Sequence, residues 1–260
     1  MYMEKIHFRG PEILGDVLSS ARCPSLQWIG VLRARGLSNL TIHSKTLLGI
    51  TLHHLEGFQQ LTIVSRKLKK LDIVNIFEKR QPLANVTAPV LEVIRWFDNY
   101  DPFSVQLGEL AQVQELRSLG ILGHGFPSLP YNRDPLRLLC RFQKIPILYL
   151  HITYPIGKAA CSPSCQCHQL QDLETEELSM NSLQEVEISQ CRGGYYEHAF
   201  LKRVIRWAPA LKKVIVTFDP SVTVVTEELC QELLRLPGPE ICMRIYLYRD
   251  GEKVIYAPAA

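Results

Sequence analysis

The sequence predicts an α/β protein built as a solenoid of short parallel strands, with few short helices and a C-terminal helix and hairpin as its cap. Three observations carry this prediction. An aliphatic pattern recurs after a fixed interval, the apolar residues inside each copy alternate with a period of two, and a helix signal followed by a hairpin signal ends the chain.

The recurring pattern is L-x-x-[LI]-x-[LIV]. It begins at Leu26, Leu47 and Leu68, which lie 21 residues apart. A second copy begins 11 residues into the first two units, at Leu37 and Phe58, and these are again 21 residues apart. Each unit therefore holds two short extended segments.

The spacing inside each copy indicates strands rather than a helix. Apolar residues on one helix face recur three and four residues apart, whereas the inward pair here is two residues apart and rich in Ile, Leu and Thr. A period of about 20 to 29 residues with this pattern is typical of leucine-rich repeats, which bury their apolar edges by stacking. A few unrelated strands of an ordinary α/β domain are the alternative, but they would not explain the repeated 21-residue interval.

Further copies of the pattern follow at wider intervals, and they begin at Leu91, Leu116, Ile147, Leu183 and Leu211. The intervals after Leu68 range from 23 to 36 residues, which leaves room for longer connections or short helices. We therefore expect an irregular leucine-rich-repeat solenoid.

The C-terminal region carries helix, strand and turn signals in that order. The stretch "HAFLKRVIRWAPALKK" predicts a helix that Pro209 ends, followed by a strand "LKKVIVTF". A second helix is predicted in "TEELCQELLRLPGP", with Thr226 as its N-cap and Gly238 with two prolines as its stop. Asp250 and Gly251 lie between two alternating segments, which indicates a type I′ hairpin placed to cover the last edge of the solenoid.

Composition and charge narrow the class of partner. A chain of 260 residues with 47% hydrophobic and 21% charged residues has the profile of a globular protein. A formal charge of +3 is too near neutral to indicate a nucleic-acid partner. The chain starts without the apolar core of a secretory signal, and its apolar runs are short, so we expect no membrane partner and a cytoplasmic or nuclear location.

Residue patterns for catalysis were not found. The sequence has no G-x-S-x-G, no H-E-x-x-H, no phosphate-binding loop and no dinucleotide-binding glycine pattern, so we expect neither an enzyme nor a cofactor. Cys161, Cys165, Cys167 and His168 in "CSPSCQCH" are of the types that bind zinc. Their spacing is not that of a zinc finger, and Cys167 and His168 are adjacent, so a metal-free loop is favoured and a zinc-binding module is the alternative.

Alternation also predicts a partner-binding surface. In each copy the fourth and sixth residues point into the core, and the third, fifth and seventh point to the opposite, concave surface. The predicted partner-binding residues are Trp28, His53, Lys70, Asp72, Arg95, Phe97, Tyr149, His151, Glu185, Glu187 and Lys213. Aromatic and arginine side chains dominate most interfaces, so Trp28, Arg95, Phe97 and Tyr149 are the expected anchors. The alternative is that these side chains pack beneath a neighbouring segment.

The repeats resemble a known family. "CPSLQWIGVLRARGLSNLTIHSKTLLGITLHHLEGFQQLTIVSRKLKKLDI" and "APVLEVIRWFDNYDPFSVQLGEL" are similar to the leucine-rich-repeat region of plant F-box proteins, particularly those of grasses. "LQEVEISQCRGGYYEHAFLKRVIRWAPALKKVIVTFDP" and "ICMRIYLYRDGEKVIYAP" resemble their C-terminal FBD-type segment. The resemblance covers most of the chain. It implies a non-catalytic role in the substrate recognition of a ubiquitin ligase, in which an N-terminal F-box helix bundle docks on a Skp-type adaptor and the repeats hold the target protein.

Together the pattern and the resemblance divide the chain into four expected segments. They are an N-terminal lead-in or truncated repeat at 1–22, leucine-rich repeats at 23–158, a Cys-containing loop at 159–182, and the last repeats with an FBD-like cap at 183–260. The family also implies further repeats after "ILYLHITYPIGK", where an internal deletion would shorten the solenoid. A repeat scaffold with no role in a ligase is the alternative function.

The segment before Cys23 is too short for a three-helix F-box bundle. We therefore expect a Skp-type adaptor to be a partner only if an F-box lies upstream, and the 260-residue chain by itself not to bind one. A pull-down of the purified chain with purified adaptor tests this expectation. Stoichiometric binding would contradict it.

Overall fold

The computed structural model describes residues 1–9, 13–19, 21–78, 82–108, 110–121, 133–153, 178–222 and 225–258. They fall into two compact units: unit 1 is Met1–Ser118 with Asp134–Phe142, and unit 2 is Leu119–Arg133 with Gln143–Ala260. Both units consist mostly of strands, paired largely in parallel, with few helices. The predicted α/β class with parallel strands is confirmed. No described helix is both long and apolar enough to cross a bilayer.

Unit 1 contains two parallel sheets, and the chain passes from one to the other within each repeat. The strands of the first sheet are β1 (Tyr2–Glu4), β2 (Trp28–Leu32), β4 (Gly49–His53), β6 (Lys70–Val74), β8 (Val93–Phe97) and β10 (Glu115–Ile121), in that order. The strands of the second sheet are β3 (Asn39–Ser44), β5 (Gln60–Ser65), β7 (Leu83–Thr87) and β9 (Val105–Leu107), also in that order. Two helices, α1 (Ile13–Leu18) and α2 (Arg133–Arg141), complete the unit, except that Arg133 of α2 and Leu119–Ile121 of β10 belong to unit 2.

The 21-residue interval sets the register of these sheets. Trp28 is paired with Gly49, and Gly49 with Lys70. In the second sheet Asn39 is paired with Gln60. Because neighbouring strands lie about 4.8 Å apart, residues at the same position of successive copies form rows across the sheet.

The core of unit 1 is formed by the inward rows of both sheets. Ile50 and Leu52 of β4 are at most 1% exposed, and Leu61 and Ile63 of β5 are fully buried. Ser65, at the end of β5, donates a hydrogen bond of 3.3 Å to the carbonyl of Leu47, just before β4. Alternate residues of these strands thus contribute to a buried layer that is mostly apolar.

Unit 2 contains a single mixed sheet and two helices. Four parallel strands are followed by one antiparallel strand, in the order β11 (Ile147–Thr153), β12 (Glu185–Cys191), β13 (Lys213–Phe218), β14 (Cys242–Arg249) and β15 (Glu252–Ile255). The helices are α3 (Tyr195–Trp207) and α4 (Glu227–Leu234).

The predicted C-terminal elements are present. The first helix ends before Pro209, and Thr226 Oγ1 caps α4 by accepting a hydrogen bond of 3.3 Å from the amide of Leu229. Asp250 and Gly251 have φ values of 52° and 81°, as a type I′ turn requires, and they join β14 to β15. Strand β14 pairs in parallel with β13, so β15 forms the outer edge of this sheet.

The copy predicted to begin at Leu116 begins three residues earlier. Glu115 is paired with Val93, the third residue of the preceding copy, so the equivalent first position is Val113. The sixth position is then Ser118, which is 2% exposed. Because the sixth residue is polar, the copy that begins at Val113 does not match the L-x-x-[LI]-x-[LIV] pattern, and it was therefore not recognised in the sequence.

The copy predicted at Ile147 also has a different start. Ile147 is paired with Glu185, the third residue of the next copy, so the first position is Ile145. Alternation has a period of two, and a shift of two residues leaves the same side chains facing inward. The predicted outward residues of this strand are therefore unaffected.

Candidate functional site

Six of the predicted partner-binding residues lie on the outward side of the first sheet of unit 1. We call this surface the unit 1 face, formed by Trp28, His53, Lys70, Asp72, Arg95 and Phe97. Trp28 is 42% exposed, and Lys70 is also exposed. His53, Arg95 and Phe97 are half-buried, whereas Asp72 is only 6% exposed.

Two aromatic rings lie across glycines at one end of this face. A Cβ atom on Gly49 would come within 2.0 Å of the ring of Trp28, and one on Gly30 within 2.1 Å of the ring of Tyr2. The absence of a side chain at both positions lets each ring lie against the neighbouring strand. Tyr2 is 67% exposed and was not among the predicted residues, because β1 was not recognised in the sequence. The sequence signal that could have indicated Tyr2 is Gly30, a glycine at an outward strand position that leaves room for a neighbouring ring.

A charged cluster lies in the middle of the unit 1 face. His53 Nε2 is 2.9 Å from Asp72 Oδ1, and Arg95 Nη1 is 3.6 Å from Asp72 Oδ2. The guanidinium carbon of Arg95 also lies 4.7 Å from the centre of the Phe97 ring, in a cation–π contact. Asp72 is thus buried beneath His53 and Arg95 and contacts both, whereas the sequence had predicted it to be presented to a partner.

The other five predicted residues lie in unit 2 and form the unit 2 face: Tyr149, His151, Glu185, Glu187 and Lys213. All of them are half-buried. Their strands place Tyr149 beside Glu187 and Glu185 beside Lys213.

Polar groups on the unit 2 face bond largely to one another. Lys213 Nζ lies 2.8 Å from Glu185 Oε1, and this hydrogen bond raises the pKa of Lys213. His151 Nδ1 lies 3.1 Å from the hydroxyl of Ser189 on the next strand. The hydroxyl of Thr217, one strand further, is buried and has no hydrogen-bond partner among the described residues. Strand pairing thus makes the predicted partner-binding residues of unit 2 neighbours of one another, as it does those of unit 1.

The possible metal ligands Cys161, Cys165, Cys167 and His168 lie outside the described residues. Within the ranges that the structure describes, no three His, Cys, Asp or Glu side chains are grouped as metal ligands would be. Cys191 is 5% exposed, and burial raises the pKa of its thiol to about 12. It belongs to the core, where a thiolate is strongly disfavoured.

No protein-family model, no curated protein and no solved structure matches the chain. What the chain binds is therefore inferred from the chemistry of its own surfaces.

Proposed function

We propose that this chain is a non-catalytic leucine-rich-repeat module that binds a target protein through its strand faces, like the substrate-recognition region of a plant F-box ubiquitin-ligase receptor. The observation that carries the proposal is the unit 1 face, where in-register repeats align Trp28, Arg95 and Phe97 on one side of a parallel sheet. Stacked repeats commonly use such extended surfaces to bind proteins.

The side chains of the unit 1 face suit recognition of a protein surface. Arg95 is held by Asp72 and the Phe97 ring, so it loses less side-chain freedom when a partner binds. The indole of Trp28 offers apolar area with a hydrogen-bond donor at its edge. Rigid aromatic and arginine anchors of this kind supply most of the affinity in known interfaces.

Affinity capture with matched variants tests the proposal. We expect Arg95→Ala with Phe97→Ala in unit 1, and Tyr149→Ala in unit 2, to weaken capture of the target by about tenfold or more while thermal unfolding changes little. The controls are Arg66→Ala and Leu83→Ala, which remove an exposed arginine and an exposed apolar side chain outside the two faces. Proteins captured by the wild type and both controls, identified by mass spectrometry, are the candidate targets.

The proposal fails if the face variants capture the same proteins with the same efficiency as the controls. A second measurement separates a ligase receptor from a scaffold. In plant cells, inhibition of cullin-based ligases should raise the abundance of the captured proteins. Unchanged abundance would favour the scaffold.

A further inference from the structure

Four successive strands of the first sheet in unit 1 end in the same turn. The residues directly after β1, β2, β4 and β6 have φ values between 47° and 55°, and they form what we call the strand-end row: Lys5, Arg33, His54 and Asn75. Each amide donates a hydrogen bond of 2.8–3.0 Å to the carbonyl of the last residue of the following strand in the sheet. The turn lets the chain leave the sheet, and it brings four exposed side chains to one edge.

The turn alone does not account for the residue types in this row. A left-handed conformation is strained for residues with a Cβ atom and is best tolerated by glycine, with Asn and His adopting it more readily than most others. Lys5 and Arg33 have no such tolerance, and both side chains are exposed. Residues held in strained backbone conformations cluster at functional sites, including ligand-binding sites.

The strand-end row lines an open groove of about 790 Å³. Three cationic side chains, Lys5, Arg33 and Arg35, and one carboxylate, Glu56, belong to its walls. The ion pairs of Arg33 with Glu4 and of Arg35 with Glu56 are 3.5 Å long, and all four side chains are more than half exposed. Such loose pairs contribute little and leave the guanidinium groups available to a ligand. Lys5 has no ion-pair partner among the described residues.

We propose that this strand-end groove binds an acidic peptide segment, whose carboxylates are held by Lys5, Arg33 and Arg35. The row spans three interstrand steps, or about 14 Å, which is the length of about four residues of extended peptide. The described residues that line the groove include no Phe, Tyr or Trp on which nucleic-acid bases would stack, which favours a peptide. The groove lies at the strand ends rather than on the unit 1 face, so the inference does not rest on the function proposed above.

Fluorescence anisotropy with fluorescein-labelled octaglutamate tests the inference. We expect the whole chain to bind octaglutamate, to ignore octaglutamine, and to lose affinity as salt is raised. Lys5→Gln and Arg33→Gln should each weaken binding by about fivefold or more, because each removes charge-assisted hydrogen bonds. Lys67→Gln removes the same charge from an exposed turn outside the groove and should leave binding unchanged.

Three results would overturn the inference. The first is equal binding of octaglutamate and octaglutamine, and the second is an equal loss of affinity in Lys67→Gln and the groove variants. The third is tighter binding of an octathymidine oligonucleotide or of phosphatidylserine vesicles through the same residues, since the partner would then not be a peptide. Chemical-shift mapping on the wild type gives an independent readout: octaglutamate should shift the amides of Lys5, Arg33 and His54, and shifts confined to the unit 1 face would refute the site.

Arg33→Gly separates ligand binding from stability. Glycine relieves the left-handed strain at this position, so the variant should raise Tm by about 2 °C while weakening octaglutamate binding like Arg33→Gln. A lower Tm would mean that Arg33 is retained for stability and not for a ligand.

Discussion

Replacing Trp96 with alanine is expected to lower the free energy of unfolding of unit 1 by about 3–5 kcal/mol. Trp96 lies at the inward sixth position of its repeat, in β8, and is 1% exposed. Its ring centre lies 6.2 Å from that of Phe77 and 6.4 Å from that of Tyr100, and its indole nitrogen donates a hydrogen bond of 3.0 Å to the carbonyl of Asn99. Truncation leaves a large cavity and an unpaired carbonyl together.

Urea unfolding followed by circular dichroism measures this loss. Trp28→Ala is the matched control, because it deletes the same side chain from the outward side of the same sheet, where the ring is 42% exposed. It should cost about 1 kcal/mol or less. Comparable losses from the two variants would show that the inward and outward sides of the first sheet have been assigned wrongly.

Replacing Asp98 with alanine is expected to cost about 2–4 kcal/mol, although no cationic side chain pairs with it among the described residues. Its carboxylate accepts hydrogen bonds from three backbone amides: those of Ile76 and Phe77, which follow β6, and that of Asn99 in its own segment. Asp98 thus ties the ends of two adjacent strands together. Without it, amides in a partly buried site have no acceptor.

Glu92→Ala is the control for Asp98→Ala. Glu92 forms a short ion pair of 2.8 Å with Lys69, but both side chains are about half exposed, so its loss should cost less than about 1 kcal/mol. The same unfolding measurement compares the two carboxylates. If Glu92→Ala lowers the free energy of unfolding more than Asp98→Ala does, the hydrogen bonds from the partly buried amides to Asp98 are not the main source of its contribution.

The contribution of Asp98 should also depend on pH. Burial raises its pKa above the ordinary value of 3.8, and the three amides only partly oppose this effect. Since the folded state then binds the proton more tightly than the unfolded state, protonation adds an increment to the hydrogen-bond contribution; this increment is fully present below the unfolded pKa and is lost as pH rises through the folded pKa. The difference in unfolding free energy between wild type and Asp98→Ala should therefore be larger at acidic than at neutral pH, and a constant difference would contradict this.

Part of the fold could not be read from the sequence because some of its elements are short. Strand β9 has three residues and β1 also has three, so neither shows enough alternation to be distinguished from a loop. Strand β7 (Leu83–Thr87) pairs with β5 but lacks the aliphatic pattern of the earlier copies. These strands form because each one pairs with a neighbouring strand, and that pairing cannot be recognised from the residues of the short strand alone.

The sequence by itself determined the pairing of the first repeats and the side of the strand on which each residue lies. A fixed 21-residue interval places Trp28, Gly49 and Lys70 in one row, and alternation is a property of the backbone of a single strand. Only the tertiary structure decided what covers each residue. Asp72 is buried by His53 and Arg95, and Asp98 receives its donors from Ile76 and Phe77; all of these partners come from other strands or from the segments that follow them. Burial and hydrogen bonding between residues about 20 positions apart depend on how repeats stack, which the pattern inside one repeat does not specify.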